Sequence, residues 1–185
     1  MKPSCNEKAD AAHIGLQANG SHTGRERSIV VVYKTKYGST RRYANWIAEA
    51  TGADLYEHGQ VSSEDLMAYD TIVYGGSLYV VGMLGLSLIR DHMSGWKNKH
   101  VIVFSVGASP AHESAITEVK KNNFTVEMMK QVDYFHLRGA FDYGRLNWTD
   151  KLLMFLLKKK LQFKKEAKRT RDEKGMLACY DRPAD

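Results

Sequence analysis

Three short segments combine hydroxyls, glycines and apolar side chains in a way that suits ligand binding. The first is Thr35-Lys36-Tyr37-Gly38-Ser39-Thr40. It follows a β-branched run and precedes helical spacing, so it should join a strand to a helix N-terminus. Amides exposed there, together with the positive end of the helix dipole, favour an anion. Gly38 lets the backbone approach a ligand closely, and Thr35, Ser39 and Thr40 add hydroxyls. Arg41 and Arg42 fall in the first helical turn, where the dipole disfavours cations; a bound phosphate would offset that cost. The same composition also suits a plain strand–helix turn capped by Ser39 or Thr40. The segment is neither a Walker A loop nor a GxGxxG fingerprint, which argues against a Mg²⁺-nucleotide hydrolase and a Rossmann dehydrogenase.

The second segment is Gly76-Ser77-Leu78-Tyr79-Val80-Val81-Gly82-Met83. It is apolar for a stretch that should lie at the surface. A flat aromatic ligand would cover it, with Tyr79 stacking worth ~0.5–1.5 kcal/mol beyond area burial. The alternative is that Leu78 and Tyr79 pack beneath the following helix. The third segment, Ser105-Val106-Gly107-Ala108-Ser109-Pro110, is small and polar, and could offer backbone groups to the edge of a planar heterocycle.

These segments need a frame that brings them to one edge. Ser28–Lys34 is a continuous β-branched run, as expected of a strand buried on both faces. Apolar spacing then turns helical at Tyr43, Ala44, Ile47 and Ala50. A short strand is expected near Ala53–Glu57 and a third over Asp70–Gly76. Leu86, Ile89, Met93 and Trp96 mark one helix face. His100–Ser105 reads as a fourth strand, and a helix should start near Glu113. Tyr134–Ala140 reads as a fifth strand at a sheet edge, and Trp148 to about Lys165 as a last long helix, with Leu152, Phe155 and Leu156 turned to the sheet. Strand and helix alternate throughout, which predicts a doubly wound α/β sandwich with helices on both sheet faces. Ligands bind such sheets outside the carboxyl ends of the strands. The three segments follow the first, third and fourth strands and so belong together there.

The chain has 185 residues, enough for one domain. Residues 1–27 lack any apolar period and are expected to form a disordered extension; after about residue 168 the pattern fades into a loosely held tail. The N-terminus has no apolar core of a secretory signal, and no run approaches the ~20 residues of a membrane span. Cys5 and Cys179 form no CxxC motif, and reduced thiols in the cytoplasm are expected. The net charge is +6, and residues 151–175 alone carry ten basic and three acidic side chains. The basic character is therefore local. It suggests an anionic partner surface or simply a solvated helix face. His58, His92, His100, His112 and His136 are scattered without metal-ligand spacing.

The sequence resembles the flavodoxin family. Thr35–Thr40 matches that family's phosphate loop, with Tyr37 in place of its third-position hydroxyl, and Gly76–Gly82 and Ser105–Pro110 are similar to its other two ligand loops. The resemblance implies a flavodoxin-like sheet of five parallel strands in the order 2-1-3-4-5, with the domain over 28–168. It implies non-covalent FMN, held by Thr35, Lys36, Tyr37, Gly38, Ser39, Thr40, Ser77, Leu78, Tyr79, Val80, Gly82, Ser105, Val106 and Gly107. It also implies an electron carrier whose partner is a redox protein or a quinone. Gly139–Lys158 is similar to the branch containing menaquinone-dependent protoporphyrinogen oxidases, whose basic character this chain shares. That likeness implies the alternative of a quinone-dependent flavoenzyme held peripherally at the inner face of the membrane. Trp148–Phe163 is apolar on more than one face and runs into Lys158-Lys159-Lys160, which suits an anionic membrane or a dimer interface. A phosphoacceptor receiver would need carboxylates where Lys34-Thr35 stands. Nucleic-acid binding is not expected, because few aromatics interleave with the basic segment.

Overall fold

The computed structural model describes residues 28–79, 82–108, 112–140 and 143–163, with Lys174 and Leu177. The extension expected over 1–27 lies outside the described residues, as does the tail apart from those two positions.

The β-branched run forms β1 (Ile29–Lys34), followed by α1 (Ser39–Thr51) and β2 (Asp54–Glu57). Then come β3 (Thr71–Tyr79), β4 (Gly82–Met83), α2 (Ser87–His92) and β5 (His100–Gly107). The chain continues through α3 (Glu113–Asn123), α4 (Val126–Gln131), β6 (Val132–Arg138) and α5 (Trp148–Phe163). The sheet order is β2-β1-β3-β5-β6, all parallel, which is the 2-1-3-4-5 order of a flavodoxin-like fold. The sheet has a sixth strand that the sequence reading lacks: β4 folds back antiparallel on β3, pairing Leu78 with Met83 and Tyr79 with Gly82.

Period-2 alternation divides the strands between two cores. Val30, Val32, Ile72, Tyr74, Val101 and Val103 face one way, against Leu86, Ile89 and Trp96 and against Phe124 and Met128. Val31, Tyr33, Val73, Ile102 and Phe104 face the other way, against Tyr43, Ala44 and Ile47 of α1. Burial on both faces is why these strands read as unbroken apolar runs. Each such side chain contributes about 1.5–3 kcal/mol relative to exposure. Ala50 is exposed, and Ala48 takes the place expected for it.

Element lengths differ from expectation at several places. The face Leu86–Ile89–Met93–Trp96 is buried as expected, but the helix ends at His92 and a 3-10 turn carries Met93 onward. The stretch after Glu113 splits at Phe124, because Thr125 caps a new helix by accepting from the Met128 amide at 3.2 Å. The fifth parallel strand starts at Val132, two residues early.

The last helix is rotated relative to expectation. Leu152, Phe155 and Leu156 are exposed. Asp150 and Leu161 are buried, and Met154 and Leu157 lie between them half-buried. Those four positions follow i, i+4, i+7, i+11, so they form the inner face of α5. The bonds of Asp150 to Lys36, Tyr37 and Tyr79 fix that rotation. Among the described residues, no helix is long and apolar enough to cross a membrane.

Candidate functional site

The strand ends set the site. β1 pairs with β3 up to Lys34 and Gly76, β3 pairs with β5 up to Ser77 and Val106, and β5 pairs with β6 up to Gly107 and Arg138. All three expected ligand segments therefore emerge at one edge of the sheet.

Gly38 closes the first segment at φ +95°, a backbone conformation that side chains with a Cβ rarely adopt. Its amide donates to Thr35 Oγ1 at 2.9 Å. Its carbonyl accepts from the Arg42 amide at 3.1 Å, the first bond of α1. The amides of Ser39, Thr40 and Arg41 precede that bond, and no side chain caps the helix. The capped turn weighed as an alternative is thus not what forms: Ser39 and Thr40 are helical residues, and glycine stands at the cap. Thr40 is buried, its Oγ1 2.7 Å from Ser77 Oγ, and that oxygen accepts from the Lys36 amide at 3.2 Å. Ser77 thereby ties the second segment to the first.

Leu78 is packed against the core, and a Cβ placed on Gly107 would lie 3.0 Å from Leu78 Cδ1. The second and third segments therefore touch. The Gly139 amide donates to Gly107 O at 2.7 Å, and a Cβ on Gly139 would sit 3.4 Å from Ser39 Cβ. Thr35, Lys36, Tyr37, Gly38, Ser39, Thr40, Ser77, Leu78, Tyr79 and Gly107 are thus brought together, and Gly82 joins them through its pairing with Tyr79. Val80 lies outside the described residues.

Ser105 and Val106, expected to offer backbone groups to the edge of a ligand, lie in register between β3 and β6. β5 runs on to Gly107, so both belong to the strand and both side chains are buried. Ser105 Oγ lies 2.6 Å from Tyr134 Oη and 2.8 Å from His136 Nδ1. The other histidines lie apart, with His100 bonded to Asp133 and His92 to the Leu88 carbonyl. Among the described residues, no group of three or more His, Cys, Asp or Glu is placed to hold a metal ion.

One group at the site has no counterpart in the motif reading. Asp150, in the first turn of α5, is 3% exposed. It accepts from Tyr79 Oη at 2.7 Å, from Tyr37 Oη, and from the Lys36 ammonium at 2.7 Å. The Lys36 ammonium also lies 3.3 Å from the centre of the Tyr79 ring, a cation–π contact. Asn147 caps α5, accepting from the Asp150 amide at 2.8 Å. Burial alone would raise the Asp150 carboxyl, but the bonds from Lys36, Tyr37 and Tyr79 outweigh it and hold the group below its ordinary value. Burial would lower Lys36, but Asp150 and the neighbouring Tyr79 hold it above its ordinary value. The pair is therefore ionised at neutral pH. Sequence carried one sign of this, an Asn followed three residues later by an acid at a helix start. The contact with Lys36, 114 positions away in sequence, is tertiary and leaves no local trace.

The residues present fit a phosphate at the first segment: three helix amides ahead of the first helical bond, a glycine cap, and open space where a Gly38 side chain would stand. A planar ring fits beside Tyr79 on different terms. The Lys36 ammonium already covers one face of that ring, so a ligand taking that face displaces it.

A family model described as a flavodoxin domain matches residues 30–168. Comparison with curated proteins gave no match. Among solved structures, the chain is 20% identical to a flavodoxin, WrbA-like protein from Agrobacterium tumefaciens, over 60% of this chain and 83% of that one (TM-score 0.42). It is 21% identical to oxidised Flavodoxin 2 from Bacillus cereus, over 60% and 85% (TM-score 0.36). It is 14% identical to a flavoprotein in complex with FMN from Lactobacillus acidophilus, over 60% and 92% (TM-score 0.41). Because the domain model spans most of the chain, from the first core strand to beyond α5, the chain belongs to the flavodoxin domain family.

Proposed function

We propose that this protein binds FMN non-covalently and carries electrons between partners, a redox protein or a quinone at one side of the exchange. The observation that supports this most is the uncapped start of α1, set where three strand ends meet. The amides of Ser39, Thr40 and Arg41 would hold the phosphate, with the Ser39 hydroxyl beside them. Ser77 holds the first two segments at a fixed separation through its bonds to Thr40 and Lys36. Leu78 and Tyr79 would supply the apolar wall beside the ring, and Gly107 the backbone at its edge. Bound FMN would supply the one- and two-electron chemistry that no side chain here provides. Lys36 stays charged beside Tyr79 and places a cation near that wall. Nothing in the geometry of the site itself, among the described residues, favours the protoporphyrinogen oxidase alternative.

The test is purification and visible absorption, followed by quenching of FMN fluorescence on titration. The expected protein is yellow, or quenches added FMN. Riboflavin, which lacks the phosphate, should bind at least about tenfold more weakly, a loss of about 1.4 kcal/mol. Equal affinity for the two would remove the phosphate from the α1 terminus. A colourless protein that fails to quench FMN would overturn flavin binding itself.

A further inference from the structure

The outer face of α5 carries a stripe that is exposed among the described residues. Trp148, Leu152, Phe155, Leu156 and Phe163 are exposed, Trp148 to 77% and Phe163 to 88%. At 100° per residue these five fall within about 100° of the helix circumference, opposite the inner face of Asp150, Leu157 and Leu161. The stripe is about 22 Å long. Lys151 and Lys158 border it on one side and Lys160 on the other. Lys159 lies within it, its ammonium 5.7 Å from the Phe155 ring centre. The helix holds one acid, Asp150, which is buried and paired with Lys36. An open hollow of about 290 Å³ adjoins the stripe, lined by Tyr143, Phe155, Lys158, Lys159 and Gln162.

We infer that α5 is a docking helix for an anionic lipid surface. An apolar stripe bordered by lysines, with no exposed carboxylate among them, matches the acyl–headgroup boundary of such a surface in both polarity and charge. Trp148 at one end suits that boundary, where indole rings concentrate. Lys158 and Lys159 beside the hollow suit lipid phosphates. The helix lies in the plane of the surface, since it is too polar to cross it. The inference does not depend on flavin binding, and vesicle partitioning tests it separately.

The experiment is co-sedimentation of the full chain with phosphatidylcholine vesicles, with and without phosphatidylserine, at low salt and at about 0.5 M salt. Binding is expected to the phosphatidylserine vesicles and to fall at least about tenfold at high salt. Two double variants follow, K159E/K160E and L152S/F155S, each checked for a wild-type circular dichroism spectrum. Each should lower partitioning at least about tenfold. Equal sedimentation with both vesicle types would overturn the inference. So would loss in the lysine pair alone, which would mean attraction without insertion of the stripe. A dimer in sedimentation velocity that L152S/F155S dissociates, with no vesicle binding, would assign the stripe to a second copy instead.

Discussion

Gly38 and Asp150 constrain the site by different means. Gly38 is required by its backbone angle, since a Cβ there would meet open space. A β-branched residue at φ +95° costs about 1–3 kcal/mol of local strain. Gly38→Val should therefore weaken FMN at least about tenfold with a smaller effect on the unfolding midpoint, measured by fluorescence titration and thermal melting. Unchanged affinity would show that the turn is not part of the site. Asp150→Asn removes the charge that Lys36 and two tyrosines converge on. Breaking such a buried pair should cost about 1–3 kcal/mol at neutral pH, or several degrees in Tm. The pH dependence follows from the directions of the two shifts. Asp150 is lowered in the folded protein, so its stabilisation is present above the unfolded value of about 3.9 and is lost as pH falls below it. Lys36 is raised, so its stabilisation is present below about 10.4 and is lost as pH rises through the folded value. The gap in Tm between wild type and Asp150→Asn should be widest between about pH 4 and pH 10 and close at both ends. A gap that stays constant from pH 3 to pH 8 would show that the carboxylate charge is not what stabilises.

At the scale of the elements, the sheet is held at its centre by a close approach. A Cβ on Gly75 would lie 2.1 Å from Phe104 Cζ, because the Phe104 ring lies across the β3 backbone in the α1-side core. Gly75→Ala should destabilise by about 1–3 kcal/mol through overpacking. Phe104→Leu in the same chain should recover part of that loss, since it withdraws the atoms in conflict; denaturant melts of the four proteins give the coupling. Additive losses would mean that the ring moves aside freely. The strands themselves were legible, because burial on both faces writes itself as runs such as Ile29–Tyr33 and Val101–Val106. The first ligand segment was legible for a similar reason: a turn between strand and helix needs glycine and small hydroxyl residues in a fixed order. The second was harder. Gly76–Met83 reads as an apolar loop, but Gly76–Tyr79 extend β3 and Gly82–Met83 form β4, a pairing that depends on which strand edge is open rather than on composition. The rotation of α5 was not legible at all. Its sequence is apolar around much of the circumference, so periodicity leaves the inner face undecided, and the distant partners of Asp150, Lys36, Tyr37 and Tyr79, decide it.

The whole molecule is unevenly secured. α1 buries five of its thirteen residues between the sheet and solvent, whereas α5 buries two of sixteen, Asp150 and Leu161. Opening α5 exposes little apolar surface, so its local opening free energy should be well below that of α1. Amide hydrogen exchange should show this directly: protection over 150–161 at least about tenfold lower than over 43–48. Within α5 the protection should decline from the N-terminal turn, where Asn147 caps and Asp150 reaches the site, towards Phe163. Asp150→Asn should then accelerate exchange in α5 and in the 35–40 segment, because the same carboxylate restrains both, while leaving the slowest amides of β1 and β5 unchanged. Uniform acceleration across the sheet would instead mean that α5 opens only with global unfolding. In that case the helix would not be a separately mobile unit hinged on the site.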